Sequence, residues 1–251
     1  MRLTILGSGT NLHPKRAATC LYFETDIPFL IDLGPRSLTN LVRAEINRHK
    51  IGHLFLTHLH ADHLADLVPF FFDAVFYSRH LGKRKDFKIY GPRGTARFVS
   101  RLLQTFPGFG KARFRTTVQE WGEKPVTLGR TVIFSQRVTH VPDLDCLGYR
   151  IEHRGRSMVY SGDSELCRPL IELCRGADVA ILDCAFPNQK PGRGHMTPAE
   201  AGRVARQAGV KKLILTHFYP MAERYNLVAQ CAKEFDGKIQ LAKDLMRIKT
   251  D

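Results

Sequence analysis

Apolar residues recur along this chain in short runs bounded by turn-forming residues, a pattern that predicts many strands and few long helices. Arg2–Leu6, Cys20–Glu24, Phe29–Asp32 and His53–Thr57 read as strands, and Gly7-Ser8-Gly9-Thr10 supplies the turn after the first. An amphipathic segment from about Leu64 to Leu81 follows, then a strand at Phe87–Tyr90 and a helix from about Gly94 to Leu103. After the turn residues Pro107, Gly108 and Gly110, strands are expected at Thr117–Trp121, Thr131–Thr139, Tyr149–Glu152 and Ser157–Ser161. A helix from Glu165 to Cys174 leads to a continuously apolar strand at Asp178–Asp183. The next helix has the clearest ends: Thr197 as N-cap, Pro198 in the first turn, Glu200 completing a capping box, and Gly209 as the stop. A strand at Lys212–Thr216 and a helix near Tyr225–Phe235 complete the pattern.

Strands therefore cluster in both halves, with helices outside them, which makes an α/β chain. There is a weak internal echo: Leu54-Phe55-Leu56-Thr57-His58 and Leu213-Ile214-Leu215-Thr216-His217 both run an apolar strand into Thr-His. Two such half-sheets packed face to face, with helices on their outer surfaces, place both strand ends along one rim. No Ser/Gly-rich linker divides the sequence, so residues 1–251 are expected to form one domain.

The longest apolar stretch, Leu64–Tyr77, is interrupted by Asp66, Pro69 and Asp73, so no membrane span is expected. Met1–Gly7 reads as a strand and not as a targeting segment. The six cysteines are scattered without a CxxC pair and are expected to be free thiols in a reducing compartment, which points to the cytoplasm.

Charge narrows the choice of partner. Thirty-eight Lys and Arg against 24 Asp and Glu leave a net charge of +14, an excess that favours a polyanion. Between Arg79 and Arg115 lie Lys83, Arg84, Lys85, Lys88, Arg93, Arg97, Arg101, Lys111 and Arg113, with Asp86 as the only acid. The aromatics interleaved there (Phe87, Tyr90, Phe98, Phe106, Phe109 and Phe114) are compatible with a nucleic-acid face, although such runs are often only solvated surface.

The strongest chemical signal is Thr57-His58-Leu59-His60-Ala61-Asp62-His63. Three imidazoles and a carboxylate directly after a strand cannot all sit unpaired in a core without a heavy desolvation cost. Imidazole nitrogen with carboxylate oxygen suits Zn²⁺, with Mn²⁺ and Fe²⁺ as alternatives. By spacing, His58 and His60 can share one metal while Asp62 and His63 face a second.

This HxHxDH spacing resembles the metallo-β-lactamase superfamily, whose four-layer αββα sandwich fits the predicted elements. The resemblance covers essentially the whole chain and implies that His140 is the third ligand of the first metal. It likewise implies Asp163 as the bridging carboxylate, His217 as the last ligand of the second metal, and Asp32 as support for the ligands. It narrows to the ribonuclease Z branch through Gly192-Arg193-Gly194-His195-Met196-Thr197, Tyr90-Gly91-Pro92-Arg93-Gly94 and the opening Gly7-Ser8-Gly9-Thr10. There, His195 matches a catalytic histidine and Asp183 the acid that orients it. Three departures stand out. The long tRNA-gripping arm between the counterparts of His140 and Asp163 is replaced by a hairpin-sized segment. Leu33-Gly34-Pro35-Arg36-Ser37 follows Asp32 where the branch has a Gly-Glu-Gly-Thr type, and Leu182 stands where it has a histidine.

The resemblance implies a hydrolase with two divalent metal ions. The ions would supply an activated water for in-line attack on a phosphodiester, Asp62 would accept a hydrogen bond from it, and His195, poised by Asp183, would protonate the departing alkoxide. RNA or tRNA is then a candidate substrate, and a homodimer is expected by the same resemblance. The alternative is a small-molecule hydrolase of the same fold, acting on a cyclic nucleotide, an aryl sulfate, a thioester or a lactone. A third reading, metal holding for binding or redox without turnover, is disfavoured by the apparent general acid. His13, His49, His53, His80 and His153 lack ligand spacing, although the loop carrying His13, Lys15 and Arg16 is expected near the rim, where both cations could touch a phosphate.

Overall fold

The computed structural model describes residues 1–122 and 124–250. The first half forms β1 (Arg2–Gly7), β2 (Cys20–Glu24), β3 (Phe29–Ile31), β4 (His53–Phe55), β5 (Phe87–Gly91) and β6 (Thr116–Glu120). The second forms β7 (Val126–Leu128), β8 (Thr131–Val138), β9 (Cys146–His153), β10 (Arg156–Tyr160), β11 (Val179–Asp183), β12 (Lys212–Thr216) and β13 (Lys238–Leu241). The last strand, β14 (Met246–Lys249), returns to the first sheet beside β1, so each sheet has seven strands. The helices are α1 (Ser37–Arg43), α2 (Ala61–Leu64), α3 (Leu67–His80), α4 (Thr95–Thr105), α5 (Arg168–Cys174), α6 (Pro198–Ala208) and α7 (Leu227–Cys231).

The two-residue period of the strands explains the layering. Phe29, Ile31 and Phe55 point into the core between the sheets, where Phe55 stacks on Tyr90 and meets Tyr149 edge-on. Leu30, Leu54 and Leu56 point the other way, against Leu67, Phe70 and Phe71 of α3. Behind the second sheet, Ala201, Val204 and Ala205 of α6 and Leu170 of α5 close the opposite face. The result is the expected αββα sandwich of the metallo-β-lactamase type.

In each half a parallel run of strands aims its C-terminal ends at the same rim: β3, β4, β5 and β6 in one sheet, β10, β11, β12 and β13 in the other. The amphipathic segment Leu64–Leu81 forms α3 over Leu67–His80, with α2 just ahead of it over Ala61–Leu64. Two predicted helices are shorter: Glu165–Cys174 begins only at Arg168, and Tyr225–Phe235 keeps helix over Leu227–Cys231. Between His140 and Asp163 the chain makes only the β9–β10 hairpin.

Four of the six aromatics of the basic segment are core residues and not part of a nucleic-acid face, whereas Phe98 and Phe106 are half-buried. Phe87, Tyr90, Phe109 and Phe114 are buried, and the Arg84 guanidinium lies 5.0–5.2 Å from the ring centres of Phe70, Phe87 and Phe114. No helix among the described residues is long and apolar enough to cross a membrane, and all six cysteines are free.

Candidate metal centre

The loops after β3, β4, β8, β10, β11 and β12 deliver the predicted site residues to one place. His58, His60, His140 and Asp163 present ligand atoms within 4.8 Å of one another, as do Asp62, His63 and His217. Asp163 lies between the groups: its Oδ1 is 3.2 Å from His63 Nε2, and its Oδ2 is 3.2 Å from His217 Nε2 and 3.7 Å from His58 Nε2. Asp62 Oδ2 stands 3.8 Å from His217 Nε2 and 4.0 Å from His63 Nε2.

Hydrogen bonds fix which nitrogen each imidazole turns inward. Asp32 accepts from His63 Nδ1 at 2.7 Å and from the Thr57 hydroxyl at 2.9 Å. Because that hydroxyl spends its proton on Asp32, His58 Nδ1 at 3.0 Å must donate to Thr57 Oγ1. His140 Nδ1 donates to the Gly194 carbonyl at 2.6 Å, and His217 Nδ1 contacts Thr19 Oγ1 at 3.0 Å. His58, His63, His140 and His217 are thus left with Nε2 facing the centre, whereas His60 presents Nδ1, 3.0 Å from His58 Nε2 and 3.3 Å from His140 Nε2.

Backbone strain accompanies this placement. Asp32 and His217 hold φ of 58° and 63°, in the left-handed region that few non-glycine residues adopt and that aspartate and histidine enter more readily than most. Gly34 permits a close approach, since a Cβ there would lie 2.0 Å from the Asp62 carbonyl oxygen.

The arrangement leaves charge and lone pairs unmatched. His63 Nε2, His217 Nε2 and Asp163 Oδ1 are buried without a hydrogen-bond partner, although such groups are nearly always satisfied in folded proteins. Burial acts to lower the pKa of His63, but Asp163 and Asp32 on its two sides outweigh it and hold the value well above the ordinary one. Burial likewise acts to raise Asp163, yet His217 and His63 hold it well below the carboxylate range. His58 is pushed well down, by burial first and then by the neighbouring His63. Inward-facing, partnerless nitrogens around a buried carboxylate fit divalent cations, and the donor set is one that zinc, manganese or iron accepts.

Beside the cluster, His195 Nδ1 donates to Asp183 Oδ2 at 2.8 Å, and Asp183 also accepts from the Ser164 N–H at 3.2 Å. The His195 side chain is 9% exposed, and its Nδ1 also lies 4.0 Å from Asp163 Oδ2. Burial opposes protonation of this imidazole, but Asp183 prevails and its pKa is raised to about 9. Phe186 and Tyr219 stand next to it, with ring centres 5.7 and 6.0 Å from that of His195.

Sequence reasoning missed Thr57 and Thr19. Thr57 adjoins His58 and had a local signal; Thr19 had none, because its contact is made across 198 residues. Nor is Arg16 free at the rim. It hydrogen-bonds Ser8 Oγ, the Ala242 carbonyl and Glu223, while buried His13 accepts from the backbone N–H groups of Lys15 and Arg16.

Comparison with known proteins agrees with this geometry. A beta-lactamase superfamily domain matches residues 29–218. Ribonuclease Z of Mycolicibacterium gilvum is 31% identical over an alignment of 281 residues that covers 99% of this chain and 96% of the relative. The crystal structure of the metallo-β-lactamase fold protein YhfI from Bacillus subtilis superposes with a TM-score of 0.87 at 27% identity, covering 98% of both chains. The human tRNase Z short form shares the fold, with a TM-score of 0.79 at 22% identity over 99% of both chains. The chain therefore belongs to the beta-lactamase superfamily, as a metallo-β-lactamase-fold hydrolase similar to ribonuclease Z and YhfI.

Proposed function

We propose that this protein is a phosphodiesterase that works with two divalent metal ions, zinc by preference. His58, His60 and His140 would hold one ion, Asp62, His63 and His217 the other, and Asp163 would bridge them. When bound, the pair supplies Lewis acidity to the phosphoryl group and offsets charge on its oxygens. The observation that carries the reading is the His195–Asp183 dyad beside this cluster, with His195 Nδ1 4.0 Å from Asp163 Oδ2.

The chain's own residues then divide the work. Asp62, 14% exposed at its side chain, accepts a hydrogen bond from the attacking water. Asp183 holds the Nδ1 proton of His195 and so presents the Nε2 proton to the leaving oxygen, a general-acid step typically worth about 10²–10⁴-fold. The buried Asp32–Thr57 pair keeps His58 and His63 aimed inward. Both sheets contribute to the cluster, which supports reading residues 1–251 as one catalytic unit.

The choice among phosphodiesters turns on the short hairpin between His140 and Asp163. The ribonuclease Z alignment is 281 residues long against this chain's 251, so that relative carries residues lacking here. RNA, including tRNA, fits the +14 charge. A small phosphodiester such as a cyclic nucleotide fits the missing arm and is the second reading. A cytoplasmic homodimer completes the proposal, checked by sedimentation equilibrium.

The test uses bis(p-nitrophenyl) phosphate, a cyclic nucleotide, a precursor tRNA with a 3′ trailer, and a thioester, with metal content measured in parallel. His195→Ala is expected to keep its bound metal and lose roughly 10²-fold or more in turnover, the low end of a general-acid contribution. Asp163→Ala is expected to lose metal as well. Undiminished turnover in His195→Ala on every phosphodiester would remove the acid assignment, and cleavage of the thioester alone would remove the phosphodiesterase reading.

A further inference from the structure

Two rings beside His195 belong to neither hydrophobic core. Phe186 lies on the loop after β11, and Tyr219 two residues beyond His217 on the loop after β12. Neither packs into the core between the sheets or the core under α3, and both remain partly exposed. They stack on each other with centroids 5.0 Å apart and planes 15° apart, and each meets His195 nearly edge-to-face, at 68° and 75°. The loop makes room for this stack through Gly192, where a Cβ would lie 2.2 Å from Phe186 Cε2.

Aromatic rings held partly bare at the mouth of a polar site are poorly served by water and well served by a flat partner. Hydrogen bonding does not account for Phe186, whose ring can neither bind a cation as a ligand nor donate a proton, and the Tyr219 hydroxyl does not explain why the Tyr219 ring is stacked on it. Their position is also specific: they flank the imidazole that would protonate the leaving oxygen, so whatever is attached to that oxygen lies beside them. Lys190 and Arg193, both exposed and without an ion-pair partner among the described residues, add positive charge to the same loop.

We propose that Phe186 and Tyr219 form a stacking platform for a planar aromatic group on the leaving alcohol, in the simplest case the nucleobase of a leaving nucleoside. The proposal rests on His195 facing the leaving oxygen and narrows the substrate class to nucleotide-type or aryl-bearing phosphodiesters over aliphatic ones. His195 supplies the proton with which the alcohol departs; the platform sets where that alcohol sits until it leaves.

The experiment has two arms, both on the full-length, metal-loaded protein. In the first, 1,N6-ethenoadenosine 5′-monophosphate is titrated with protein and its fluorescence followed, because stacking quenches this base whereas phosphate capture alone does not. Wild type is expected to quench it, Tyr219→Phe to bind comparably, and Phe186→Leu or Tyr219→Leu to bind about tenfold more weakly, the loss typical of one base–aromatic stack. In the second, kcat/KM is compared for adenylyl-(3′→5′)-adenosine and the same compound lacking the base on the leaving nucleoside. A wild-type preference of about tenfold or more for the base-bearing substrate, reduced in either leucine variant, supports the platform. Binding without quenching, or equal efficiency on both substrates, overturns it while leaving the phosphodiesterase reading intact. Cleavage of neither dinucleotide counts against that reading instead, and the fluorescence arm still decides the platform. The wild-type measurements decide it even where a leucine variant does not fold.

Discussion

Thr19 and Thr216 carry the same buried hydroxyl with opposite consequences. Thr19 Oγ1 sits 3.0 Å from His217 Nδ1, whereas Thr216, next to His217 in sequence, has a buried hydroxyl with no partner. The Leu-Thr-His echo puts both histidines at strand ends on one rim, yet their ring orientation is set differently: Thr57 serves His58 locally, and in the second half that task passes to a residue from the first. A periodic pattern reveals which face a residue takes, but not which distant hydroxyl a side chain will meet. Thr19→Val is therefore expected to weaken metal binding about 10–100-fold, the usual cost of removing a group that orients a ligand, with little change in fold. Thr216→Val, which deletes an unsatisfied buried hydroxyl, is expected to be neutral or mildly stabilising, within about 1 kcal/mol. Metal titration and denaturant unfolding of the two variants check both; equal metal affinity in Thr19→Val and wild type would remove the orienting role.

At the scale of elements, α6 shows what sequence makes legible. Thr197 accepts from the Glu200 N–H while the Glu200 carboxylate accepts from the Thr197 N–H, and Gly209 ends the helix at a φ of 64°. Local signals at both ends coincide with the structure because the capping interactions themselves are local. By contrast, α1 had no visible start. Its N-cap is Arg36 at a φ of 74°, with no side-chain cap, and the helix is held through buried Leu41 and through Asp66, which accepts from the Leu38 N–H. The last strand, Met246–Lys249, alternates apolar and polar residues, but over only four residues and with Ile248 alone fully buried the pattern is too short to stand out. The cap of α6 also reaches the site, for His195 stands two residues before Thr197 and the Gly194 N–H between β11 and α6 donates to Glu165 at 2.7 Å. Thr197→Ala is expected to cost about 1 kcal/mol of stability. It should also lower turnover while metal content stays full, because the loop end that carries His195 loosens and the ligand set does not. Thermal unfolding, metal analysis and kcat measured together separate these effects.

Across the whole molecule, the candidate ligands are split between the two sheets. His58, His60, Asp62 and His63 follow β4, whereas His140, Asp163 and His217 follow β8, β10 and β12. Cations held between them would tie the sandwich together along one rim, and would take over the role of balancing the buried Asp163 carboxylate that a protonated His63 otherwise fills. A ligand that binds only the native state stabilises it by RT ln(1 + [L]/Kd), about 2.7 kcal/mol at a hundredfold excess over Kd. For a chain of this size each kcal/mol moves the midpoint by roughly 2–4 °C, so removal of metal by a chelator should lower Tm by about 5–10 °C and re-addition should restore it. Asp163→Ala separates a specific effect from a general one, since it removes the carboxylate both groups approach and should abolish most of the metal-dependent increment. A Tm unmoved by chelation and re-addition, in protein shown by metal analysis to have gained and lost its ions, would mean that the cluster does not bridge the sheets.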